Sequence, residues 1–342
     1  MKTHPIFAAA AAVVATASPA LAQMSGASQQ VDAVQQRRQL ESSTPWPAAT
    51  NAVPELYAGE TSDVGPQSVL QVKPRRQLLE AFADVQYLYT DNMFLANQGK
   101  HGADVLVSTV QAALAPTPYE CHDGLFAPRL GYQHQWFAYG LANSPTVSAF
   151  DLSTATYKNL ELNYFDFNAL TVFGEVAWSR QNWTFTLGGD FRQLMDSDVY
   201  SEFYQEYVPH WSVRRDFKTS ENTALSIAYE GDYRLTDSQF VPPTAGNDYN
   251  DRADNSLVIA GSWRLCQHLI LQPSYRFQAT HFTRTDRDDL LHSFGLALYC
   301  PITDKITLRT YVTYDNMHTD GFYVQNYQKL DAGGGLNLTV RF

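Results

Sequence analysis

The feature that most constrains this chain is the strict alternation of its final segment. Leu330, Ala332, Gly334, Leu336, Leu338, Val340 and Phe342 fall on one face, and Asp331, Gly333, Gly335, Asn337, Thr339 and Arg341 on the other. Residues two apart share a face only in an extended chain, so the pattern requires a strand with one apolar and one polar side. The same period recurs upstream. Ile306, Leu308, Val312 and Tyr314 alternate with Thr307, Arg309, Tyr311 and Thr313. Leu225, Ile227, Tyr229, Tyr233 and Leu235 alternate with Ser226, Ala228, Glu230, Asp232 and Arg234, and Trp183, Phe185, Leu187 and Phe191 with Thr184, Thr186, Asp190 and Arg192.

About twelve such runs lie at 79–90, 103–115, 125–139, 163–179, 183–195, 203–217, 223–236, 255–265, 268–282, 289–300, 305–316 and 329–342. Each meets the roughly 9–11 residues that a tilted strand needs to cross a hydrocarbon layer. Their connections fall into two classes that alternate along the chain, with 196–202 short for the long class and 116–124 the longest of the tight ones. Arg180-Gln181-Asn182, 218–222, Cys266-Gln267 and Pro301-Ile302-Thr303-Asp304 are tight, whereas 91–102, 140–162, 237–254, 283–288 and 317–328 are longer and polar. An even strand count with alternating short and long connections predicts a closed antiparallel transmembrane β-barrel, with short periplasmic turns and longer extracellular loops.

A β-sandwich also alternates, so the distribution of charge and aromatics decides between the two. The apolar faces carry almost no charge, Arg215 being the main exception. Trp178, Trp183, Trp263 and Phe342 lie towards the tight turns. Tyr87, Tyr89, Tyr233, Tyr275, Phe277 and Tyr314 lie towards the long loops. Two such sets match the interfacial girdles of a membrane barrel. Phe342, closing an amphipathic strand, is expected to act as the insertion signal for the barrel-insertion machinery. Beyond the leader no apolar run approaches the 18 or so residues of a helical span, which excludes a helical membrane protein.

Three regions are expected. Residues 1–22 read as a signal peptide: Lys2 and His4, a short apolar stretch from Ile6 to Ala17, then Ala20-Leu21-Ala22, with cleavage after Ala22. Residues 23–76, rich in Gln, Ser, Pro and Gly without sustained hydrophobic period, read as a flexible periplasmic segment. Residues 77–342 form the barrel.

Three segments carry a resemblance: Gly65-Pro66-Gln67-Ser68-Val69-Leu70, Tyr89-Thr90-Asp91-Asn92, and Leu330-Asp331-Ala332-Gly333-Gly334-Gly335-Leu336. Through them the 65–342 region resembles outer-membrane β-barrel porins of Gram-negative bacteria, a loosely defined group without an assigned reaction. The resemblance implies fold and location and supplies no catalytic residue. The expected partners are outer-membrane lipid and lipopolysaccharide, the insertion machinery, and small hydrophilic solutes.

With polar faces turned inward, the lumen receives Arg129, Arg192, Arg214, Arg234, Arg264, Arg276, Arg309 and Arg341, together with Asp84, Glu175, Asp190, Asp216, Glu230, Asp232 and Asp331. Enclosed charges must be paired or hydrated. They form either a transverse field across a water-filled path or an ion-pair network that fills a narrow barrel. The expected function is passive diffusion of small hydrophilic solutes. The alternative is a non-conducting barrel that binds a protein partner or surface polysaccharide through its loops. The remaining acids, among them Asp196, Asp251, Asp254, Asp288 and Asp289, fall in the long connections.

With Lys+Arg 24 against Asp+Glu 35, the net charge of −11 argues against nucleic acid as a partner. No nucleophile-elbow, metalloprotease or phosphate-loop motif is present, so no enzyme, cofactor or metal is expected. His134, His210, His281 and His292 read as ordinary polar residues at strand ends or in the lumen. Cys121, Cys266 and Cys300 are odd in number, and Cys266 and Cys300 form a possible disulfide across neighbouring strands.

Overall fold

The computed structural model describes residues 27–41, 78–142, 146–151, 156–239, 245–321 and 324–342, with the side chains of 148–151 and 156–158 excepted. The expected leader with its cleavage after Ala22, residues 42–76 of the expected flexible segment, and the Gly65–Leu70 motif lie outside the described residues.

Twelve strands close into an antiparallel barrel. Strand β1 (Leu79–Thr90) pairs on one side with β2 (Ala103–Leu114) and on the other with β15 (Tyr327–Arg341), so the first and last strands form the seam. Strand β2 pairs with β4 (Gly124–Tyr139), and β4 with β7 (Phe167–Arg180). Each later strand pairs with its predecessor: β8 (Trp183–Asp196), β9 (Glu202–Lys218), β10 (Thr223–Ser238), β11 (Arg252–Cys266), β12 (Leu269–Phe282), β13 (Arg287–Pro301) and β14 (Ile306–Thr319), ending at β15. A short strand β3 (Tyr119–Cys121) folds back on the start of β4. All twelve periodic runs are barrel strands. The run expected from residue 163 begins later, because Leu162–Phe165 form a single 3-10 turn.

Closure satisfies every strand edge within the ring, the condition for placing a sheet in hydrocarbon. The faces then sort as the alternation requires. Leu187 is 70% exposed on the exterior, while Arg192 on the same strand is 2% exposed inside. Leu330, Leu336, Leu338 and Phe342 are exposed, whereas Asp331 and Asn337 are buried, so the closing strand turns its apolar row outward and, among the described residues, no second sheet covers it. Arg215 also faces out. Its guanidinium lies over the Trp183 ring at 4.9 Å and the Phe217 ring at 4.8 Å, which shields this charge on a largely apolar face.

Tight links at one end, the turn end, include Gln181-Asn182 between β7 and β8 and Gln267-His268 between β11 and β12. At the other, the loop end, β4 and β7 are joined through a hairpin of β5 (Thr146–Asp151) and β6 (Thr156–Glu161) followed by the 3-10 turn. Asp254 and Asp289, expected in loops, lie instead within β11 and β13 and are buried. Their strands run on beyond the last apolar residue because the lumen, being polar, accepts them.

The clearest departure from expectation is at 27–41. The segment read as part of a flexible tether is an α-helix, here α1, and its side chains contact the inner wall of the barrel. Ala27, Val31 and Val34 recur at i, i+4 and i+7, giving one short apolar stripe. That stripe packs at the loop end on Leu88, Val105, Val107, Phe137, Phe167 and Leu194, joined there by Val147, Leu162 and Phe165 of the loop region. The other faces of α1 are polar and suit a polar lumen.

The cysteine expectation is also corrected. All three cysteines are free. Cys266 ends β11 and Cys300 lies in β13, with the whole of β12 hydrogen-bonded between those strands, so the pair is not on neighbouring strands.

Candidate functional site in the barrel lumen

The twelve strands set a cylinder of inward side chains, and α1 runs along it. Gln29 accepts a hydrogen bond from the Tyr327 hydroxyl at 2.7 Å, at the loop end of β15. The Leu40 carbonyl accepts one from Gln272 near the turn end of β12 at 3.1 Å. The helix therefore points its N-terminus to the loops and its C-terminus to the turns. At about 1.5 Å per residue it spans roughly 21 Å, most of a hydrocarbon layer.

Three clusters hold it. The first centres on Asp32. Its carboxylate receives Arg192 of β8 at 2.8 Å and Arg234 of β10 at 2.8 Å, with Arg252 of β11 at 3.9 Å. Gln35 accepts a further bond from Arg192 at 2.6 Å. Behind these arginines the wall places its own acids. Glu206 lies 2.7 Å from Arg192, Asp232 and Asp254 each 3.0 Å from Arg234, and Asp254 3.2 Å from Arg252. The second cluster lies at the C-terminus of α1, where exposed carbonyls and Glu41 concentrate negative charge. Arg309 of β14 offsets it, 2.8 Å from Glu41 and 2.6 Å from Asp84 of β1, and Asn337 donates to the other Glu41 oxygen. In the third, Arg37 lies 3.8 Å from Asp331 and over the Tyr311 ring, while Lys329 bridges Asp331 and Asp315. Arg38 donates to Gln111 and Gln133 and stacks on Phe82.

The other anticipated lumen residues divide between the wall and the space beside the helix. Arg129 joins Glu80 at 2.5 Å and Glu175 at 3.3 Å, and Arg341 meets the same Glu80 at 3.0 Å. Arg276 reaches Glu230 at 3.6 Å, Arg214 pairs with Asp216 at 3.3 Å, and His210 approaches Asp190 at 3.5 Å. Arg264 is half-buried at the turn end of β11, outside these clusters. Of the other histidines, His281 sits at the end of β12 beside Asp288. His134 lies on the exterior face of β4, stacked on Trp136, and His292 Nδ1 lies 2.9 Å from the Tyr275 hydroxyl. Sequence reading passed over Glu80, Glu206, Arg252 and Lys329. Strand parity would have found Glu206, which shares a face with Arg214, and Lys329, which shares one with Asp331.

Helix α1 does not fill the lumen. A cavity of about 1000 Å³ remains alongside it. It reaches from Pro116, Pro118 and Lys305 at the turn end to Asn250, Arg287 and Asp289 at the loop end. Between those limits Arg129, Glu175, Asp190, Arg214, Glu230 and Arg276 line it, so both signs of charge face the open space.

No protein-family model and no curated protein matches this chain. Solved structures are similar in shape. An outer-membrane channel of Pseudomonas putida F1 aligns with a TM-score of 0.48 at 10% identity, covering 77% of this chain and 96% of its own. The β domain of a Bordetella autotransporter gives 0.43 at 12% identity, over 78% and 100%. An anion-selective porin of Comamonas acidovorans gives 0.39 at 10%, over 77% and 99%. At these scores the functional reading rests on the lumen itself.

Proposed function

We propose that the protein is an outer-membrane channel for passive passage of small hydrophilic solutes. In this reading the turn end faces the periplasm, the loop end faces outward, and the path follows the space between α1 and the opposite wall. An exterior of exposed Leu, Val, Tyr and Trp supports the membrane setting, since such a surface is stable against lipid and aggregation-prone in water.

The observation that carries the reading is the cavity beside the helix. It touches residues at both ends of the barrel and carries Arg276 and Glu230 within it, side chains whose charge a passing ion would sense. Fixed charges of both signs in a narrow aqueous path orient and select solutes without a covalent step.

Purified protein in planar bilayers tests this. Stable unitary currents are expected, and Arg276→Glu, which replaces a lumen cation by an anion, shifts the reversal potential towards cation preference. Silent bilayers from protein that retains a heat-modifiable folded form overturn the channel reading.

A further inference from the structure

Three wall arginines converge on a carboxylate that does not belong to the wall. Arg192, Arg234 and Arg252 lie on β8, β10 and β11 and meet at Asp32, and the Arg192 and Arg234 side chains are only 3% and 9% exposed. Further along the helix a single wall arginine, Arg309, 2% exposed, meets Glu41 together with the Asn337 amide. Guanidinium groups held this way present paired donors at the geometry a carboxylate accepts.

Neither cluster requires the helix for neutrality. Arg192 has Glu206, Arg234 has Asp232 and Asp254, Arg252 has Asp254, and Arg309 has Asp84. The four charges of α1, Asp32 and Glu41 against Arg37 and Arg38, cancel among themselves. Withdrawal of α1 therefore strands no wall arginine without an acid, and the heavy penalty for an unpaired buried charge does not arise. The hold is also polar along most of its length, its apolar part confined to Ala27, Val31 and Val34.

We propose that the Arg192–Arg234–Arg252 cluster and the Arg309–Asn337 site are binding sites for carboxylate-bearing solutes, which α1 occupies with its own Asp32 and Glu41. The proposal rests on the channel reading and names its solute class. Asp32 and Glu41 stand about 13 Å apart along the helix axis at about 1.5 Å per residue. An extended acidic oligomer that reaches both clusters thus binds better than a single carboxylate, by the effective concentration of its second group. Because wall acids share the same arginines, each cluster grips moderately, which lets a solute leave as well as enter.

The test is a binding titration that needs no conductance, so its failure is separate from failure of the channel reading. Purified protein is titrated with hexaglutamate, and with maltohexaose and hexalysine as neutral and cationic controls. Asp32→Asn with Glu41→Gln removes the internal competitor while leaving every wall residue in place. This double variant is expected to bind hexaglutamate at least about tenfold more tightly than the unaltered protein, the gain implied by loss of even one of its two charge-assisted competitors. Neither control ligand should gain. Equal or weaker hexaglutamate binding by the variant overturns the proposal, as does an equal gain for maltohexaose, which would mean that only space was freed. Should the variant not fold, the unaltered protein supplies the second reading. Saturating hexaglutamate should speed tryptic cleavage after Arg37 and Arg38 as α1 gives way, and unchanged cleavage overturns the proposal equally.

Discussion

Arg309 shows what a single residue does in this lumen. Its guanidinium is enclosed, with Asp84 at 2.6 Å and Glu41 at 2.8 Å, and the Asp84 side chain has no exposure at all. Taking these charges from water is costly, and mutual attraction repays the cost only while all partners are present. The two acids differ in one respect. Glu41 keeps the Asn337 amide as a second donor, whereas Asp84 is fixed in β1 by a register of eleven pairs with β15 and twelve with β2. Arg309→Gln therefore takes its hydrogen-bonded guanidinium from the buried Asp84 carboxylate, a loss on the order of 3–5 kcal/mol. Adding Asp84→Asn removes that carboxylate and should restore most of the loss, a coupling that a double-mutant cycle isolates. The measurement is the temperature at which the folded, fast-migrating form disappears on gels. If the double variant unfolds as early as the single one, buried charge is not the cause.

At the scale of the element, the seam between β15 and β1 is the most demanding join, because it unites the two ends of the barrel. Gly333 lies opposite Leu88 there. A Cβ added at Gly333 would stand 2.6 Å from both the Leu88 Cβ and the Tyr87 carbonyl, atoms that cannot swing aside. At Gly334 the nearest atom, the Arg309 carbonyl, is 3.1 Å away. Gly333→Ala is expected to destabilise the barrel by about 1–3 kcal/mol, as overpacking does, and Gly334→Ala by less. Equal midpoints for the two variants in urea refolding into vesicles would remove steric closeness as the reason for glycine here. This same strand was among the most legible parts of the sequence. Hydrocarbon outside and polar groups inside impose a two-residue period on every barrel strand, so Leu330 to Phe342 declared both its conformation and its outer face. Helix α1 declared almost nothing. Its local signal is the three apolar positions Ala27, Val31 and Val34, and what orders the rest, Asp32 with Arg192 and Arg234 or Glu41 with Arg309, lies far away along the chain. The lumen residues were legible one by one through parity, but their grouping was not, since Asp32 and its arginines meet only once the sheet has closed.

For the whole molecule, the question is whether barrel and helix form one cooperative unit. The ring of backbone hydrogen bonds runs without interruption through β1, β2, β4 and β7 to β15, and no bond in it passes through α1. The wall arginines keep acids of their own when the helix is discounted. What α1 contributes is the small apolar stripe at the loop end and a set of polar contacts, each worth about 1 kcal/mol net and more where charge is involved. A chain lacking residues 27–41 should therefore still fold into a heat-modifiable barrel. Because the helix displaces water from a lumen in which about 1000 Å³ already remains open, that barrel should also pass more current. Unitary conductance is expected to rise several-fold over the unaltered protein, with weaker dependence on Arg276 as the path widens away from it. A shortened chain that never yields the folded form would make α1 part of the folding core. A folded one with unchanged conductance would mean that the path avoids the helix entirely. Between those outcomes, a wider pore in an intact barrel is what a self-paired wall and an uninterrupted ring of strands require.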